Sequence, residues 1–377
     1  MKILVLVSRD PENPGFGGGE LVLFRWSELL VQAGHQVEYL CSRFPGSAHE
    51  VTVSGVHVVR VGAESTLGLS ACSEYLRRFR GKVDVVLEDM LGGARLPFFA
   101  PIYVRAPVVS VWFQDHVPLF RLQYPRILLP ILTGLERLIV WVHRDALVLV
   151  PSSASKISYL SKGGKADRVT IFYPGLPPEL LAESGRFKVH ERESRVLFLG
   201  KLRRYKCPHL AIRAFSLATR DLPEAKMIVA GRPDDERYLA ELVQLVRSLG
   251  LDEKVSFELG ISEERKFALL HTSRVLLSPA PVEGFGIAGL EASACGTPVV
   301  GTTGTPTEAL REGVNGYRVP FGDEVTMARH TRTLLLDDVV FERLSASAAE
   351  FARSFTWSEA GQPLLKILAV LGPRSRE

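Results

Sequence analysis

Apolar positions along this chain alternate between two rhythms. A nearly unbroken apolar run over Lys2–Ser8 gives way to a Pro/Gly stretch, Pro11–Gly19, and then to helical spacing from about Glu20 to Ala33. Gly34 supplies a helix stop, and His35–Cys41 is again strand-like. Short continuous apolar runs suit strands buried on both faces, and a 3.6-residue period suits the helices that cover them. The opening therefore predicts a β-α-β unit in a parallel sheet. Further strands are expected at Val56–Val61, Val83–Leu87, Val108–Phe113, Leu147–Val150 and Val169–Phe172.

Between Pro174 and Ser194 prolines, glycines and charges crowd together, which reads as a linker. A second alternating series follows. Its expected strands are Arg195–Leu199, Lys226–Ala230, Val255–Leu259, Val275–Leu277, Pro298–Gly301 and Gly316–Val319, with helices over Lys206–Leu217 and Arg237–Leu249. At 377 residues the chain is long for a single core. The expected plan is α/β, with two Rossmann-like doubly wound domains over 1–175 and 195–355. A linker over 176–194 joins them, and a C-terminal helix over 356–377 returns to the first. Such a pair offers a ligand site in a central cleft, at the carboxyl ends of both sheets.

Composition changes this picture little. Hydrophobic residues at 46% and charged residues at 23% are ordinary for a globular protein. A net charge of +4 is compatible with anionic ligands, but no basic patch interleaved with aromatics argues for nucleic acid. The four scattered cysteines contain no C-x-x-C pair, so neither a disulfide framework nor a zinc site is expected. The first apolar run is too short for a signal-peptide core or a bilayer span, and the expectation is a cytoplasmic chain without a transmembrane helix.

The most specific stretch is residues 281–302, PVEGFGIAGLEASACGTPVVGT. Glu283 precedes Gly284-Phe285-Gly286, a helix is expected from about Ile287, and Glu291 falls in its second turn. Glycines let a backbone approach a ligand, and a helix start offers free N–H groups to phosphate. The spacing suits one carboxylate at a sugar and the other at a ribose, with a diphosphate between them. An ordinary helix start with a solvated Glu291 is the plain alternative. In residues 200–215, GKLRRYKCPHLAIRAF, Lys201 and Lys206 flank the turn after a strand. Lysine is a suitable point charge for a diphosphate leaving group.

Taken in order, these segments resemble the family-4 glycosyltransferases of the GT-B fold. The matching residues are GGGE at Gly17–Glu20, GHQV at Gly34–Val37, Gly200-Lys201-Leu202 with Lys206, Glu283 with Glu291, Cys295–Val300, and EALREGVNGYRV at 308–319. The resemblance implies an N-terminal domain that binds the acceptor and a C-terminal domain that binds the nucleotide sugar. It implies that the amides of Gly18 and Gly19 lie near the donor phosphates and that Lys206 binds the diphosphate beside Lys201. Glu283, Gly284 and the amides of Phe285, Gly286 and Ile287 would hold the donor sugar and phosphate, and Glu291 the ribose. Two positions depart from the family: Lys201 stands where arginine is more frequent, and Cys207-Pro208 replaces the glycine after Lys206. Related enzymes often carry a histidine in the loop corresponding to residues 110–121, which makes His116 the candidate at the reaction centre, with Asp115 as the fallback.

The activity so implied is a retaining transfer of a hexose or N-acetylhexosamine from a nucleoside diphosphate sugar to a hydroxyl acceptor. No Asp-x-Asp follows any expected strand, so no catalytic metal and no cofactor beyond the donor are expected. Residues 117–144 mix Leu, Ile, Val and Trp with Arg121, Arg126, Arg137 and Arg144. That pattern suits peripheral contact with an anionic membrane and a lipid-linked or glycan acceptor, or else a core-facing helix with a basic rim. The rival readings are a nucleotide-sugar 2-epimerase of the same fold and a catalytically silent nucleotide-sugar-binding subunit.

Overall fold

The computed structural model describes residues 1–90, 96–182 and 192–372. They form two units, Met1–Gly175 together with the chain from Trp357, and Leu176–Thr356.

The first unit is built on an eight-stranded sheet. Its strands are β1 (Lys2–Leu6), β2 (Gln36–Cys41), β3 (Glu50–Val53), β4 (Val56–Arg60), β5 (Val85–Asp89), β6 (Val108–Val111), β7 (Leu147–Val150) and β8 (Val169–Ile171). Their order is β3-β4-β2-β1-β5-β6-β7-β8, parallel except where β3 turns back antiparallel on β4. Strands such as Ile3–Leu6 and Val85–Leu87 are wholly buried, as two-sided helix cover requires. The order reverses between β1 and β5, so the Pro/Gly loop after β1 emerges at the switch point of the sheet.

The second unit has a six-stranded parallel sheet, ordered β11-β10-β9-β12-β13-β14. These strands are β9 (Arg195–Leu199), β10 (Lys226–Gly231), β11 (Val255–Leu259), β12 (Val275–Ser278), β13 (Val299–Thr302) and β14 (Gly316–Val319). Here the reversal falls between β9 and β12, whose residues Val196 and Val275 are paired. The segments singled out for chemistry follow exactly these two strands.

Several sequence expectations need revision. The first helix spans Gly18–Gln32 rather than starting near Glu20, so Gly18 and Gly19 are helical residues behind a Gly17 cap. The hairpin strand β3 was not expected; its alternating exposure marks a sheet edge. Of the expected linker, Leu176 and Leu180 are buried in the second unit's core, Leu176 N–H donates to Phe355 O (2.9 Å), and Pro178–Ala182 is helical. Arg192 is buried too, donating to the carbonyls of Ser273 (2.8 Å) and Cys295 (2.5 Å). Residues 183–191 of that linker lie outside the described residues. The final helix, Trp357–Leu371, packs on the first through Trp26 Nε1, which donates to Ala360 O at 3.1 Å.

Candidate active site

In the second unit the backbone turns sharply after β9. Gly200 and Gly231 end adjacent strands so closely that a Cβ on Gly231 would overlap the Gly200 carbonyl, and only glycine fits. Lys201 follows Gly200, and Lys206 closes the short 3-10 turn Arg204–Lys206 instead of opening the next helix, which is Pro208–Ala218. Cys207 adopts φ +54°, ψ +42°, the left-handed conformation that glycine takes without strain. The departure from the family at this position therefore leaves the turn in glycine-like geometry, at the expense of strain.

The turn brings Lys206 onto the segment after β12. Its Nζ lies 2.7 and 2.8 Å from the two oxygens of Glu283. Burial pulls the ammonium pKa down, yet Glu283 and Tyr205 outweigh it and hold the group above the ordinary lysine value. The Glu283 amide donates to Gly304 O at 3.1 Å. Phe285 anchors the loop in the core, its ring 5.8 Å from that of Phe355. Gly286 then caps the helix Ile287–Ala294 at φ +100°. Among the described residues the N–H groups of Gly286 and Ile287 meet no acceptor, which leaves them available to an anion.

Glu291 lies in that helix as expected but is buried rather than solvated. One of its oxygens accepts from Lys266 Nζ at 2.7 Å. No donor among the described residues reaches the other. Burial raises the Glu291 pKa against the pull of Lys266. Lys266, from the helix Glu263–Thr272, has its own pKa lowered by burial but raised more by Glu291 and Glu263. Lys266 carries no motif in the sequence; its only local signal is an acidic first turn of the kind that complements a helix dipole.

In the first unit Gly18 and Gly19 begin a helix, with Gly19 against the ring of Phe113. Two buried arginines hold the loop before them. Arg60 grips Asp10 through Nε (2.9 Å) and Nη2 (2.8 Å), while Arg9 reaches Gly15 O (2.9 Å), Glu20 (3.3 Å) and Glu64 (2.5 Å). His116 caps the helix Val117–Gln123. Its backbone N–H and its Nδ1 approach the buried Glu136 carboxylate at 2.9 and 3.2 Å. Nδ1 is thus the ring nitrogen turned to the carboxylate, and among the described residues Nε2 has no hydrogen-bond partner. Asp115, the fallback, is fully engaged: Lys162 (2.6 Å) and Ser158 (2.9 Å) hold one oxygen and the Val117 amide (2.9 Å) the other.

Residues 117–144 are two helices, Val117–Gln123 and Leu129–His143, joined through a 3-10 turn, not one helix. The longer helix buries Ile139 and Val140 together with the polar Glu136 and His143, while Ile131, Leu138 and Trp141 are exposed. No helix among the described residues is long and apolar enough to cross a membrane.

Two family models match in tandem, Glycosyltransferase Family 4 over residues 16–180 and Glycosyl transferases group 1 over residues 182–354. This chain is a family-4 glycosyltransferase family member. Among curated relatives, the D-inositol 3-phosphate glycosyltransferase of Stackebrandtia nassauensis is 30% identical over 242 residues, covering 60% of this chain and 54% of that protein. A like-named protein of Catenulispora acidiphila is 31% identical over 229 residues, covering 57% of this chain and 55% of that protein. The chain thus spans about half the length of the curated relatives it matches. Anabaena HepE, solved with UDP and glucose, superposes with a TM-score of 0.77 at 19% identity, covering 98% of this chain and 100% of that one. WaaG, a glycosyltransferase involved in lipopolysaccharide biosynthesis, gives a TM-score of 0.70 at 17% identity, covering 96% and 98%. The family member's fold is accordingly GT-B, with two parallel-sheet α/β domains.

Proposed function

We propose that this protein transfers a hexose or N-acetylhexosamine from a nucleoside diphosphate sugar to a hydroxyl acceptor, with retention of configuration and without a metal ion. The observation that carries the reading is the Lys206–Glu283 pair beside the free amides of Gly286 and Ile287, at the switch point between β9 and β12. A cation and helix-start amides suit the diphosphate, a carboxylate suits sugar hydroxyls, and Glu291 is left with one oxygen for the ribose. In the reaction the bond from the anomeric carbon to the phosphate oxygen breaks as the acceptor oxygen bonds on the same face. The acceptor proton passes to the departing phosphate, whose charge Lys206 and the amides stabilise. His116, with Nε2 available, is assigned to the acceptor side, and Gly18 and Gly19 to the donor phosphates. HepE has been solved in complex with UDP-glucose, which makes a UDP-hexose the first donor to try.

The exposed apolar residues Ile127, Ile131, Leu138 and Trp141, with Arg126, Arg137 and Arg144 among them, support peripheral docking on anionic lipid. Each basic residue near such a surface contributes about 1 kcal/mol, screened by salt. Cosedimentation should favour anionic over neutral vesicles and weaken as salt rises; equal, negligible binding removes the membrane part of the proposal.

The transferase test is a donor screen with phosphorylated and lipid-linked acceptors, in excess EDTA, with the product anomer read by NMR. Transfer with the donor's anomeric configuration is expected. Inversion, or activity restored only by Mg²⁺ or Mn²⁺, overturns the corresponding part. Conversion of donor alone to its 2-epimer would replace the reading by an epimerase.

A further inference from the structure

The helix Leu129–His143 buries Glu136, Ile139, Val140 and His143, which are spaced as one core-facing stripe. Aliphatic side chains would fill such a stripe without electrostatic penalty, whereas a carboxylate in the core destabilises unless something binds it. Two of the four positions are nevertheless ionisable. His143 is closed off. Its Nδ1 lies 2.6 Å from Ile139 O and its Nε2 2.8 Å from Glu88, which also takes the Ser110 hydroxyl (2.9 Å) and the Ala100 amide (3.2 Å). Every residue of that cluster is buried, so it holds the helix to the sheet and nothing else.

Glu136 is bound differently. Its side chain is 1% exposed, yet it serves a residue that reaches the surface, His116, whose side chain is 23% exposed. Oε1 of Glu136 accepts the His116 backbone N–H at 2.9 Å and lies 3.2 Å from Nδ1 of the same residue. Oε2 is buried without a hydrogen-bond partner among the described residues, with Lys162 Nζ 3.9 Å away. Lys162 is itself bound to Asp115 (2.6 Å) and Ser158 (3.2 Å), so Glu136 is not needed to neutralise it. Buried aromatics hold the ring as well: Trp112 stands at right angles to it at 6.1 Å, and Phe120 stacks at 6.2 Å. Backbone, one ring nitrogen and ring plane are thereby fixed. Nε2 is the ring atom left for hydrogen bonding outside the protein.

We propose that Glu136 is a positioning residue for the transfer, holding the His116 proton on Nδ1 so that Nε2 presents a lone pair to the acceptor. An ionised carboxylate only accepts, so the ring nitrogen beside it is the donor and the opposite nitrogen the acceptor. Nε2 then fixes the acceptor through a hydroxyl next to the reacting one, whose own proton still leaves with the departing phosphate. The proposal rests on the transferase reading for what Nε2 binds, though not for where the ring proton sits.

Glu136→Gln tests this at nearly constant shape. The amide oxygen can keep the His116 backbone N–H, while the amide N–H can donate to Nδ1 and drive the ring proton to Nε2. Rates are measured with UDP-glucose and the phosphorylated acceptors of the transferase screen. In the variant, kcat/KM for the acceptor should fall about tenfold or more. Donor KM should stay within about twofold, since Lys206, Glu283 and Glu291 stand in the other unit. Melting temperature should change little, because Lys162 keeps Asp115 and Ser158. In a His116→Ala background the same substitution should lower the rate no further, whereas independent effects would multiply. Nitrogen NMR of the histidine-labelled parent should show the neutral His116 ring protonated on Nδ1, and Glu136→Gln should move that proton to Nε2. Parental acceptor kinetics in a folded Glu136→Gln, or losses that multiply in the double variant, overturn the proposal. A parental ring protonated on Nε2 overturns it too, and that measurement needs no variant to fold. If no acceptor is turned over while the ring spectra behave as expected, the transferase reading falls and the placement of the proton by Glu136 stands.

Discussion

Arg60 and Lys206 are both cations held by carboxylates near the carboxyl end of a parallel sheet, one in each unit. Arg60 is enclosed, its side chain and that of Asp10 exposed by only 1% and 0%. It also holds Glu12 (2.7 Å) and Ala48 O (3.2 Å), so each of its three guanidinium nitrogens is engaged in binding the chain to itself. Lys206 and Glu283 keep 24% and 11% of their side-chain surface and stand beside amides that meet no acceptor among the described residues. A buried pair whose hydrogen bonds are all internal can only support a loop. A half-open pair can exchange partners with a ligand. The difference teaches that proximity of opposite charges does not mark a site; unfinished hydrogen bonding does.

The largest expected effect tests the closed side of this comparison. Arg60→Leu strands Asp10 in the core and should cost about 3–5 kcal/mol of stability, seen as a lowered midpoint in chemical denaturation. Burial raises the Asp10 pKa, but Arg60 and Cys41 outweigh it and hold it below the ordinary value. A depressed carboxyl pKa stabilises the fold above the unfolded value of roughly 3.9, and that support disappears as pH falls through the folded value. The gap between parent and variant should accordingly be full at neutral pH and narrow only in acid. A constant gap across that window would mean that Arg60 acts through packing alone.

On the open side, Lys206→Ala should lower turnover about 100-fold or more, equivalent to about 2.7 kcal/mol, with a comparatively small shift in melting temperature. Glu283→Gln should also depress kcat, but it removes a carboxylate that competes with phosphate for Lys206. Bare nucleoside diphosphate should then inhibit that variant at least as well as the parent. Weaker inhibition would place Glu283 at the nucleotide and reverse the assigned polarity.

The third effect is a pH shift. Glu291 binds its proton more tightly than an ordinary carboxyl, so donor KM should rise on the acid side above the usual carboxylate range, with kcat little changed. Removing the cation by Lys266→Met should raise the Glu291 pKa further and move that acid limb to higher pH. A limb that does not move would leave Lys266 a surface neighbour only.

The smallest effect concerns Cys207. A left-handed non-glycine residue is strained by roughly 1–2 kcal/mol, partly offset by burial of its thiol. Cys207→Gly should therefore stay within about 1 kcal/mol of the parent in stability and keep full turnover, while Cys207→Val, β-branched, should lose about 2 kcal/mol or more. Equal behaviour of the two would show that the turn is not constrained by its backbone.

The sequence by itself determined the alternation of strands and helices, because burial on both faces of a sheet and the 3.6-residue helical period are written in consecutive residues. It also singled out Gly200, Lys206, Glu283 and Glu291, since close backbone approach and a helix start demand particular residue types at short spacings. What it did not expose were partners. Lys266 meets Glu291 across 25 residues and Arg60 meets Asp10 across 50. No local rule links such positions; strand order and register bring them together. The tertiary structure alone therefore decided that Glu20 and Asp115 are spent on internal contacts, while one oxygen of Glu291 meets no donor among the described residues. Hydrogen-bond capacity is consumed by whatever neighbours the fold supplies, and only the folded chain shows what is left over.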